Sequence, residues 1–144
     1  LFDSYFKPIR HTDWWEAESV NGISPEMVAD APYINEKAAE LYAILSQAHW
    51  IIGYNVDFDL RFLMGSDIIT DEEYNAFRTE DVMIQFAEIY GEYSVYHEDY
   101  KWQKLTTAAA YYDYDWNVKG IEAHNSLADC FATLFVYHKI LSGE

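Results

Sequence analysis

Asp59 and Asp129 each stand near the start of a helical stretch that follows a strand or a loop, and His124 precedes Asp129 with four residues between them. Carboxylates and an imidazole are the groups that bind hard divalent cations and exchange protons near neutral pH. Taken singly, each has a plainer reading. An acid in a helix's first turn is favoured by the positive helix end, and a histidine ahead of a helix can be an ordinary loop residue. Position sets Asp59 apart, because a side chain where a strand passes through a short turn into a helix stands at the carboxyl edge of the sheet, where α/β proteins place their chemistry.

The element that positions Asp59 is the stretch Trp50 to Leu63, WIIGYNVDFDLRFL. Trp50-Ile51-Ile52 is an apolar run of strand length, Gly53-Tyr54-Asn55 is a turn, and apolar residues at 58, 62 and 63 then take helical spacing. His124 and Asp129 depend on the last element, Ser126 to Leu141, with Asn125 or Ser126 as cap and an apolar stripe of Leu127, Phe131, Leu134, Phe135, Tyr137 and Leu141. His124 and Asp129 could therefore face one spot while Leu127 and Phe131 point inward.

The remaining elements are read in the same way. Leu1 to Phe6 reads as a strand ended by Lys7-Pro8. A loop holding Trp14, Trp15 and Ile23 against the core leads to a short helix with Ser24 as N-cap and Pro25 at its first position. Apolar residues at 38, 41, 42, 45 and 48 predict an amphipathic helix over 35–48. Short helices are expected from Thr70, with its acidic first turn, over 81–90, and over the alanine-rich 104–112. Residues 91–103 read as a loop.

Composition limits the class. The 144 residues suffice for one domain with a proper core, and 18% aromatic residues, including 13 Tyr and 5 Trp, argue for a folded protein. A single cysteine excludes an internal disulfide, and no apolar run approaches membrane-span length. A soluble cytoplasmic protein is expected. The net charge of −16 repels polyanions and disfavours a broad electrostatic grip on a long duplex. A short grip on a few nucleotides, with divalent metals offsetting the carboxylates, remains compatible with it.

Tyr54-Asn55-Val56-Asp57-Phe58-Asp59 resembles the second motif of the DnaQ-like, DEDDh 3′–5′ exonucleases. His124-Asn125-Ser126-Leu127-Ala128-Asp129 resembles their third motif, in its histidine rather than tyrosine form. The segments Val20 to Pro25 and Val28 to Pro32, and Lys7-Pro8 after the opening run, fit the same family in order and spacing. The resemblance implies an RNase H-like α/β fold, a mixed sheet flanked by helices, in one domain. It also implies removal of nucleotides from 3′ ends of DNA or RNA with two Mg²⁺ or Mn²⁺ ions, about 3.5–4 Å apart in such sites. Asp59 and Asp129 would be metal carboxylates, His124 would take a proton from the attacking water, and Phe58 and Asn55 would contact substrate. A polymerase or another replication or repair protein is an implied partner. The DnaQ family's Asp-x-Glu on its first strand has no counterpart here, so the first two strands are expected to be missing and the domain incomplete at its N-terminus. A non-catalytic module of the same fold is the alternative, and an acidic mimic of nucleic acid a further one.

Other candidates receive structural readings. Asp57 is expected to cap or face solvent. His11, His49, His97 and His138 lack zinc-ligand spacing. Cys130 is expected to be inert core, and Asn55 could either bond across the site or close the turn.

Overall fold

The computed structural model describes residues 2–119 and 125–143. The chain groups into two compact units, Leu1–His49 with Leu60–Ala76, and Trp50–Asp59 with Phe77–Glu144.

In the first unit, residues 2–7 form no strand. A strand needs a partner for its backbone groups, and the segment is instead tied at Lys7, whose N–H donates to Pro32 O at 2.9 Å and whose Nζ donates to Ala29 O. The expected loop contains a helix, α1 (Trp15–Asn21), ended by Gly22 in the left-handed region at φ 70°. Trp14 does pin this region, donating from Nε1 to Ile23 O at 2.7 Å. Trp15 does not, being 73% exposed. The Ser24-Pro25 start yields only a 3₁₀ turn, Glu26–Val28, in which Val28 is buried. The predicted helix over 35–48 is present as a 3₁₀ turn, Ile34–Lys37, followed by α2 (Ala38–Gln47).

The strand-to-helix junction lies where the sequence puts it: β1 (Ile51–Gly53) is followed by α3 (Val56–Gly65). The buried face of α3 is Val56 and Leu60, whereas Phe58 and Phe62 are exposed, the reverse of the stripe read from hydrophobicity. Beyond α3, Ile68 and Ile69 are buried, and α4 (Asp71–Ala76) follows. A reciprocal cap starts α4: Thr70 N–H donates to Glu73 Oε2, and Glu73 N–H to Thr70 Oγ1.

In the second unit, β1 pairs in parallel with β2 (Thr79–Asp81), in register Ile51 to Thr79 and Gly53 to Asp81. Sequence reading assigned no strand there. Helix α5 (Val82–Tyr90) follows, ended by Gly91 at φ 76°. The expected loop over 91–103 contains a hairpin of β3 (Tyr93–Ser94) and β4 (Asp99–Tyr100). Helices α6 (Leu105–Tyr111) and α7 (Ser126–Ser142) complete the unit. Within the described residues the sheet is thus small. No described helix is long and apolar enough to cross a membrane.

The core of this unit is Val82, Phe86, Ala108 and Val136, all fully buried. Phe86 packs its ring within 5.4 Å of Tyr111 and 6.0 Å of Tyr112, centroid to centroid. The face that α7 buries is Ala128, Ala132, Thr133 and Val136, while Leu134 and Leu141 of the predicted stripe are exposed. Ala108 and Ala109 on α6 are buried too, and small residues let packed helices approach closely. Cys130 is exposed and is not part of the core.

This burial pattern predicts a contrast in stability. Phe86→Ala is expected to cost about 3–5 kcal/mol in denaturant unfolding, whereas Leu134→Ala should stay within about 0.5 kcal/mol of the parent chain. Equal losses would contradict the face of α7 described here.

Candidate functional site

The turn after β1 is held from below by one carboxylate. Asp81, the last residue of β2, accepts the Asn55 N–H at Oδ1 (3.0 Å) and the Val56 N–H at Oδ2 (3.1 Å). Its Oδ1 also accepts the Met83 N–H at 3.0 Å, which makes Asp81 the N-cap of α5. One side chain thus ties the starts of two helices to the end of the sheet. Asn55 sits at φ 63°, a conformation asparagine tolerates better than most residues, so of its two readings the turn-closing one has a structural basis. Gly53 lies so close beneath the turn that an added Cβ would come 3.0 Å from Val56 Cβ.

Tyr54 fixes the other side of the turn by donating its hydroxyl to Gln103 O at 2.8 Å. Burial, reinforced by the negative charge of Asp81, pushes the Tyr54 pKa well above the ordinary phenol value. It stays a neutral donor at any physiological pH.

Asp59 lies one helical turn beyond Asn55, with Phe58 beside it at 66% exposure. Its pKa is raised, first by the protein atoms crowding the carboxyl and second by the charge of Asp81. The residue as a whole remains exposed, so the crowding is local to the carboxyl. Asp59 is therefore an acid open to solvent yet less willing to ionise than a free one. Two carboxylates share this corner with different tasks. Both oxygens of Asp81 are already taken up by backbone N–H groups, and Asp59 is the one that faces out.

Asp129 lies in the first turn of α7, partly buried, above an N-cap in which Asn125 Oδ1 accepts the Leu127 N–H at 3.0 Å. His124 lies outside the described residues. Among the described residues no group of three or more His, Cys, Asp or Glu is placed to hold a metal ion. Sequence reading missed Asp81 as part of the site. Its helix-starting position was legible, but its bond to Asn55, 26 residues away in sequence, depends on the pairing of β1 with β2.

Two predictions follow from these bonds. Asp81→Ala leaves three N–H groups without their acceptor and is expected to cost about 2–4 kcal/mol in denaturant unfolding. For Asp59, the folded chain holds the proton more tightly than the unfolded chain, whose carboxyl titrates at about 3.9. Its stabilising contribution is complete below that pH and is lost as pH rises through the higher folded-state pKa. Asp59→Asn should therefore melt at a higher temperature than the parent at pH 7 and at the same temperature near pH 3, as followed by circular dichroism.

A search of curated proteins finds no match. A family model described as Exonuclease (RNase T) matches residues 1–137, nearly the whole chain, and so includes the β1–α3 junction and the start of α7. The chain belongs to the exonuclease family, with the nuclease function and RNase H-like α/β fold that membership carries.

Proposed function

We propose that this chain is the exonuclease domain of a DEDDh-type enzyme that removes nucleotides from the 3′ ends of DNA or RNA. What supports the reading most is an open carboxyl, Asp59, in the first turn of the helix that follows a parallel strand, in a chain of the exonuclease family. Asp59 and Asp129 serve as two of the carboxylates for Mg²⁺ or Mn²⁺. The Asp-x-Glu pair that the DnaQ-like pattern adds to them has no counterpart in this sequence. Bound cations supply charge neutralisation at the phosphodiester.

The chain's own residues have separate tasks. His124 takes the proton of the attacking water, a role suited to an imidazole whose ordinary pKa is about 6.5. Phe58, exposed beside Asp59, offers its ring to the terminal base. Asn55 holds the turn that aims both. The raised pKa of Asp59 gives the site a reason to be more active at neutral than at acid pH, because a protonated carboxyl is a poor cation ligand. A cytoplasmic place beside a polymerase or another replication or repair protein suits such a domain.

The test is degradation of a 5′-labelled single strand in Mn²⁺ by this chain and by a form extended upstream. Stepwise shortening from the 3′ end is expected, and His124→Ala or Asp129→Ala should slow it by about 10²–10³-fold. A label that stays full length refutes the exonuclease reading. Full activity in Asp129→Ala refutes the role given to that residue.

A further inference from the structure

The β3–β4 hairpin carries aromatic surface that the site above does not use. Tyr93 and Tyr100 face each other across the two strands, with ring centroids 5.6 Å apart. Beyond them the chain exposes Tyr96 almost completely and Trp102 at 63%. A concavity of about 460 Å³ opens here, lined by Ser94, His97, Asp99, Tyr100, Lys101 and Trp102. That is within the size range of small-ligand sites, roughly 300–1,000 Å³.

The base of the hairpin is braced. Lys101 Nζ pairs with Glu92 Oε1 at 2.6 Å, Lys101 N–H donates to Glu92 O, and Gln103 Nε2 reaches the other Glu92 oxygen at 3.3 Å. Gln103 O in turn accepts the Tyr54 hydroxyl, so the brace is tied to the turn that carries Asp59.

The lining chemistry selects the ligand. Tyr100, Trp102 and His97 offer flat rings, the surfaces on which unpaired bases stack with little regard to sequence. The lining cation, Lys101, is paired with Glu92, which leaves little positive charge for a phosphate. Asp99 Oδ1 accepts the Tyr100 N–H at 2.7 Å, and its other carboxylate oxygen is an acceptor suited to the exocyclic amino group of a base. We infer that this hairpin is a second nucleic-acid contact, taking one unpaired, amino-bearing base of a single strand by stacking rather than by charge. The inference rests on the family's nucleic-acid substrate, but not on the assignment of Asp59, His124 or Asp129. Contact through base faces is also the mode open to a chain of net charge −16, which repels phosphates at long range.

The test uses the full chain in EDTA, so that binding is read without degradation. The probe is a 5′-fluorescein-labelled oligomer of about eight deoxycytidines, within the usual span of single-strand sites, followed by fluorescence anisotropy. Trp102→Ala is expected to weaken binding by about tenfold, and Trp102→Phe, which keeps a ring, to restore most of it. The thymidine oligomer, which lacks an exocyclic amine, should bind less tightly than the cytidine oligomer, and Asp99→Asn should narrow that difference. The salt dependence should stay shallow, since each phosphate contact would add about −0.7 to the slope of log affinity against log salt. No binding by the parent chain, unchanged binding by Trp102→Ala, or a slope that implies several phosphate contacts would each overturn the inference. Binding with the expected profile by a form that never shortens its oligomer would uphold the hairpin contact while removing the exonuclease reading.

Discussion

The carboxylate of Asp81 is the interaction on which the rest of this site depends. It closes the end of β2, caps α5 and holds the two N–H groups that lead from β1 into α3. A charged acceptor serving backbone donors is stronger than a neutral one, and here it serves three. The strands themselves are only three residues long, so their ladder alone is a weak frame. The side chain does what a longer sheet would otherwise do, fixing where one helix begins relative to another.

The same charge has an electrostatic effect on the residues it positions. Asp81 raises the pKa of Tyr54 and of Asp59, in both cases second to burial. Tyr54 is thereby kept as a donor to the hairpin segment, and Asp59 holds its proton more tightly than a free carboxyl does. A cation near this corner would meet one carboxylate that is free to turn toward it and another that is not. The division explains how two acids can lie near each other without doing the same work.

What could be read from the sequence was local. The β1–turn–α3 junction, α2, α5, α6 and α7 all announce themselves through caps and period, and Asp59 was legible because its neighbours on both sides were. The pairing of β1 with β2 was not legible, since Thr79-Glu80-Asp81 is too short and too polar to show alternation. The role of Asp81 in the site went with it. Helix faces were misread for a different reason. In α7 the buried ladder is Ala128, Ala132 and Val136, and in α3 it is Val56 and Leu60. Close packing is decided by volume and shape as well as by hydrophobicity, so alanines line the buried face of α7 while Leu134 and Leu141 stand outside, and α3 buries Leu60 but not Phe58 or Phe62.

Gly53 shows how narrow the tolerances are. Its missing side chain is the space into which Val56 fits, with the nearest Val56 atom 3.0 Å from where a Cβ would stand. Val56 is also the first residue of α3, and Asp59 follows it by less than one turn. A single methyl group at position 53 would thus press on the helix start, and Val56 would have to give by a few tenths of an ångström. Where the helix that carries Asp59 begins is set by an absent atom six residues earlier.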